Sequence, residues 1–511
     1  MKQSLNKILI AGLLLVSGMI ACDKKLNVTD KNNPTTASYF KTASELQNGV
    51  NAIYSTLRSA QLVGREWFFT HDMRGSETAS GGPRLEAPRA ELLTQPSPAP
   101  SNAVMTNEWT GCYQMINRAN LVITKGPGVT DNTALRDVLV GEAKFLRAWA
   151  YFELVSMWGD VPVYTNYVTS ATDYKGKSAA ADIYTLIIAD LTEAAQKLPD
   201  VASAQGRATK GAANALLGRV QMQKGDYAAA KTALLQVYGK YSLVSFPYNF
   251  DGDVYSGPPW NAAAGVVTTG HEFNAESIFE VSFVDKGDNN FNWGYNGEGS
   301  NNPVSTVRNQ EYGKVWGNVV PSNALLNEFE VGDPRYKFTF FEEGDVILTK
   351  ANPGPPHVLT AGDLNVAPST RNGVTMKRIF RKNSIYDWDD NGFHPGGINQ
   401  RLIRYADVLL MLAECEAEVG TPAQAANYIN EVRARPGVVM PPVVLTTKNQ
   451  ALNAVMHERL VELGGEEVNN IDMLRWRKKG YYPSIRPDPK PSQVNLLPIP
   501  AAELSANPAL H

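Results

Sequence analysis

The chain has 511 residues, and 48 Lys plus Arg stand against 51 Asp plus Glu, a formal charge of −3. At about 150 residues per domain this is roughly three domain-sized masses, enough to bury a large core without disulfides or metal. The near-neutral balance offers no basic face for nucleic acid, and three cysteines with six histidines exclude a disulfide scaffold and a Cys/His zinc cluster.

Residues 1–22 read as an export signal. Lys2 and Lys7 precede an apolar run from Ile8 to Ile20, which is too short to span a bilayer. The run ends in Met19-Ile20-Ala21-Cys22, which resembles a bacterial lipobox with Met where Leu is usual. In that motif the cysteine is acylated and becomes the mature N-terminus. Cys22 is therefore the expected lipidation site, followed by a polar tether from Asp23 to Thr36.

Helical periodicity predicts helices over 43–60, 103–125, 141–158 and 181–198. The third is apolar nearly all round and should be a central buried helix, stopped at Trp158-Gly159-Asp160-Val161-Pro162. An internal repeat follows. Leu217-Gly218 stand eight and seven residues before Gly225, with Ala230 and Leu234 five and nine after it. Leu412-Ala413, Gly420, Ala425 and Ile429 repeat that spacing. This is the pattern of a tetratricopeptide helix hairpin, in which small residues let two helices approach and Gly closes the turn.

From 239 to 400 the composition shifts to Asn, Gly, Asp, Pro and aromatics, and helical period largely vanishes. Such a stretch is more than a connector and is expected to carry function. Short strands are expected at 277–283 and 374–380. The last segment, 401–511, is helical through 449–463 and then Pro-rich.

No G-x-S-x-G elbow, H-E-x-x-H or P-loop occurs. Acidic pairs such as Glu342-Glu343 and Glu466-Glu467 leave a glycosidase open as a minor reading, but solvated or structural roles explain them more simply. Asp387-Trp388-Asp389-Asp390-Asn391-Gly392 opens like a calcium loop, yet position twelve is Ile398 rather than Glu, so a turn is favoured. Glu142, Arg147, Arg404, Asp407, Glu458 and Arg459 lie on largely apolar periodic segments and are read as ion pairs between packed helices. Trp149 and Trp158 are read as core. No cofactor or metal is called for.

Several blocks together resemble the SusD/RagB family of outer-membrane lipoproteins. They include Ile116-Asn117-Arg118-Ala119-Asn120, Gly141 to Leu154 with Gly159-Asp160-Val161-Pro162, and Gly332-Asp333-Pro334-Arg335. Arg404-Tyr405-Ala406-Asp407, Asp472…Arg475-Trp476 and Pro498-Ile499-Pro500 continue the match. The resemblance implies a mainly α fold, with tetratricopeptide-like hairpins packed against an irregular, loop-rich subdomain with a few short strands. It implies a SusD-like helical region over 23–238, a ligand-binding insertion over 239–400 and a C-terminal region over 401–511. It also implies a non-enzymatic protein, anchored in the outer membrane and exposed at the cell surface. Such a protein captures oligosaccharide, or alternatively peptide, for a SusC-like TonB-dependent transporter barrel. Sugar capture needs flat apolar faces and planar polar groups on loops. The candidates are Trp67, Asp72 and Arg74 after the first helix, and Trp260, Trp293, Tyr295 and Trp316 in the mid-chain region.

Overall fold

The computed structural model describes residues 39–250, 271–283, 306–314, 316–347, 357–382 and 397–511. The first helix, α1 (Ala43–Leu57), opens on a capping box. The Glu45 N–H donates to the Thr42 hydroxyl and the Glu45 carboxylate accepts from the Thr42 N–H. Its inner face buries Leu46, Val50, Ile53 and Leu57. Next come α2 (Glu66–Arg74), β1 (Thr78–Ser80) and α3 (Ala87–Thr94), none of which the periodicity announced.

Asn102 caps α4 (Ala103–Lys125) and Asn132 caps α5 (Thr133–Trp158). α5 begins well before the expected 141 because its first turns are polar and more exposed, outside the apolar run. It ends at Gly159, whose φ of 73° a side chain would resist. A two-residue ladder of β2 (Val161–Pro162) and β3 (Lys177–Ser178) leads into α6 (Ala180–Lys197).

Both repeat hairpins form. The first is α7 (Lys210–Lys224) and α8 (Tyr227–Leu235), joined through Gly225 at φ 102°. Close packing explains the small residues: a Cβ on Gly218 would come 2.4 Å from Leu234 Cγ, and Ala230 is fully buried. The second is α12 (Tyr405–Val419) and α13 (Pro422–Arg433). There Gly420 is not left-handed, and the Thr421 hydroxyl with Pro422 in the first turn starts the return helix. The hairpins pack on each other through α8 and α12, and the Tyr227 hydroxyl donates to Glu414 at 3.0 Å.

The mid-chain stretch is built from short pieces. They are β4 (Ser277–Val281), α9 (Arg308–Tyr312), β5 (Val319–Pro321), α10 (Asn323–Glu328), α11 (Arg335–Thr339), β6 (Phe340–Glu342), β7 (Val346–Ile347), β8 (His357–Val358), β9 (Pro368–Arg371), β10 (Val374–Phe380) and β11 (Gln400–Arg404). All pairings among them and with β1 are antiparallel: β1 with β5, β6–β10–β9, β4 with β11, and β7 with β8. The chain then closes with α14 (Lys448–Leu463), α15 (Asn469–Lys478), α16 (Tyr481–Ser484) and α17 (Ala501–Ala506).

One apolar cluster runs from Ala43 to Leu497 and draws on all three stretches of the chain. The charges read from the sequence as ion pairs are paired. Arg147 holds Asp190 at 2.7 Å, Arg207 holds Glu142 at 2.7 Å, and Arg459 holds Asp407 and Asp472 at 2.9 and 2.6 Å. Trp149 and Trp158 are core.

Candidate functional site

Every side chain of α2 is buried, so the stretch expected as a ligand loop is an interior helix. Trp67 packs 4.8 Å from the His71 ring and 6.4 Å from Trp149. Asp72 accepts a hydrogen bond from the Tyr312 hydroxyl, and burial pushes its carboxyl up. Arg74 donates to the Val494 carbonyl; burial, with Arg477 nearby, lowers it to about 10. These three residues therefore lie beneath the surface, not on it. An all-round buried helix has no polar face and so no readable period.

What α2 does is hold up its neighbours. Arg65 bonds Glu86 at 2.8 Å and Glu311 at 3.1 Å, while Arg89 bonds Glu66 at 2.8 Å. Phe69 lies against both guanidinium groups, 5.5 Å from Arg65 and 4.9 Å from Arg89. Asn318 donates to Glu311 at 2.6 Å, which carries the network to the start of β5. Paired charges at this depth fix geometry, since losing one partner would strand the other.

Above this network, β1 and β5 pair with Thr78 opposite Pro321 and Ser80 opposite Val319. The pairing continues past the strands. The Gly81 N–H donates to Asn318 O at 2.9 Å, and Ala367 N–H donates to Gly81 O at 2.6 Å. A Cβ at Gly81 would fall 1.7 Å from Gly317 O, so only glycine permits this approach. Beneath lies a small separate cluster of Val320, Phe341, Leu359, Leu364, Val366 and Ile379. The junction thus joins residues 78–81, just after α2 with its candidates Trp67, Asp72 and Arg74, to residues 318–321, just after the candidate Trp316. Trp316 sits half-buried beside it, and Pro83 and Arg84 are exposed on the same turn. Trp260, Trp293 and Tyr295, like Cys22 and the calcium-like turn from Asp387, lie outside the described residues. The glycines were visible in the sequence only as a Gly/Pro-rich stretch; their close approach needs a partner more than 200 residues away.

A concavity of about 350 Å³ opens beside α4, lined by Trp109, Tyr113, Asn117, Tyr164 and Glu503. Its polar ring atoms are already engaged: the Trp109 indole N–H with Glu503 at 3.3 Å and the Tyr113 hydroxyl with Pro162 O at 2.8 Å.

Two family models match the chain. One, described as the SusD family, covers residues 275–484; the other, described as starch-binding associating with outer membrane, covers residues 31–222. The chain belongs to the SusD/RagB family. A SusD-like protein from Formosa agariphila is 24% identical over 502 residues, covering 92% of each chain. A SusD superfamily protein from Bacteroides vulgatus superposes with a TM-score of 0.69 at 22% identity, over 93% of this chain and 99% of that one. A laminarin-binding SusD-like protein superposes with a TM-score of 0.68 at 25% identity, over 91% and 98%. The mainly helical SusD-like fold with tetratricopeptide-like hairpins is therefore the fold of this chain. Among the described residues no helix is long and apolar enough to cross a membrane.

Proposed function

We propose that this SusD-like protein captures oligosaccharide at the surface of the outer membrane and passes it, uncleaved, to a SusC-like TonB-dependent transporter barrel. Family membership and a laminarin-binding structural neighbour support the ligand class. The observation that supports this face is the Gly81–Gly317 junction, which sets the turn after α2 against the mid-chain stretch that holds Trp316. On this reading Trp316, with Trp293, Tyr295 and Trp260, supplies the flat apolar faces for sugar rings. The acidic pairs weighed for hydrolysis support a binding role too. Glu342 engages Lys337 and Arg378, and Glu466 engages Lys382 and Arg404.

Calorimetry on a glycan panel headed by laminarin oligosaccharides, with a peptide library beside it, tests this. Trp316→Ala and Trp293→Ala should each weaken glycan binding by about two- to tenfold, if stacking on sugar resembles stacking between aromatic rings. Chromatography should recover the glycan intact. Affinity unchanged in both variants and in the double variant would remove the site from this face, and binding of peptides alone would transfer the function to peptide capture.

A further inference from the structure

Three ionisable side chains from three helices meet in the core behind this face: His71 of α2, Glu108 of α4 and Glu153 of α5. One donor atom from each lies within 4.8 Å of the others, and His71 Nε2 is 2.9 Å from Glu153 Oε2. All three are buried, Glu108 completely. Neither oxygen of Glu108 has a hydrogen-bond partner, and His71 Nδ1 has none either. Thr70, which adjoins Glu108 and would favour its ionised form, gives its hydroxyl proton to Glu66 O at 3.1 Å. Two carboxyl groups and an imidazole gathered in the core, with acceptor atoms that no group of the chain engages, form an arrangement that a cation completes.

We propose that His71, Glu108 and Glu153 form a structural site for a divalent first-row transition ion, with zinc the best fit. One imidazole nitrogen and two carboxylates are a donor set zinc accepts with a water in the fourth position, at about 2.0–2.2 Å from each protein atom. Calcium wants six to eight oxygens, more than two carboxylates supply. Ligands on one zinc stand about 3.4 Å apart in a tetrahedron, so the present spacing needs only small side-chain rotations. Bound there, the ion would give Glu108 its missing partner. It would also tie α2, which leads directly into β1 and the Gly81 junction, to α4 and α5. The spacing 71, 108, 153 matches no linear metal motif, which is why the sequence shows no ligand set.

The test uses protein purified without a histidine tag. Elemental analysis should find zinc at one equivalent per chain, and refolding with zinc rather than chelator should raise Tm. Glu108→Gln, which preserves shape but cannot replace the carboxylate, should lose the zinc and the Tm response together. A metal-free wild type whose Tm ignores zinc overturns the proposal. So does a Glu108→Gln variant that keeps its zinc.

Discussion

Glu462 accepts hydrogen bonds from three guanidinium groups: Arg404 at 2.7 Å, Arg335 at 3.0 Å, and Arg435. Burial alone would raise its carboxyl; Arg435, Arg404 and Arg335 outweigh it and hold it far below the ordinary range. Glu462→Gln would leave three buried cations short of one counter-charge, and the expected cost is about 3–5 kcal/mol, read by denaturant unfolding. Asp407 shows the same balance with a readable pH window. Burial raises it, Arg219 and Arg459 lower it more, and it settles at about 2 against 3.8 unfolded. A carboxyl depressed in the folded state stabilises fully above its unfolded value and loses that contribution as pH falls through the folded one. The part of the acid limb between pH 4 and 2 that Asp407 supplies should therefore disappear in Asp407→Asn, as melts at stepped pH would show. Such pairs were legible in the sequence because a charge on an apolar helical face has to find a partner. Asp72 and Arg74 were not, because Arg74's partner, Val494, is 420 residues away and nothing local marks it.

Among elements, the helix with one polar face was legible to the residue, the expected 103–125 being the observed α4, and the expected 374–380 strand is β10, exposed at its start and buried at its end. Elements buried by ion pairs were not, as with α15, where Asp472 and Arg475 are satisfied by Arg459 and Glu414. The repeat survives because its small residues are contacts. Ala230 and Ala425 are both fully buried between paired helices, so Ala230→Trp or Ala425→Trp should overpack its hairpin and cost about 1–3 kcal/mol. Melting curves matching wild type for both would deny the close approach. The β1–β5 junction responds differently. Gly81→Ala places its Cβ against a backbone oxygen, which cannot turn aside. The two strand ends must part there, while the hairpins, far along the chain, keep their packing. Glycan affinity should fall with helical circular dichroism unchanged, and retained affinity would show that the junction does not shape the site.

At the scale of the whole molecule, the Pro-rich tail is what composition least foretold. It returns to the N-terminal helices: Leu497 N–H donates to Met157 O at 2.8 Å, and the Trp158 indole donates to Pro498 O at 3.0 Å. That return is why a single cluster extends from Ala43 to Leu497. The proposed location rests on the lipobox resemblance at Cys22, the expected site of acyl chains. Each buried methylene contributes about 0.8 kcal/mol, and two or more chains hold a protein stably. Cys22→Ala should move the protein from the outer-membrane fraction to the soluble one. Glycan affinity measured in solution should stay unchanged, since the lipid and the Gly81 face are separate devices. The fractionation is done in cells without the transporter, so that docking cannot stand in for the lipid. A Cys22→Ala chain that still sediments with outer membrane there would mean that something other than the lipid holds it.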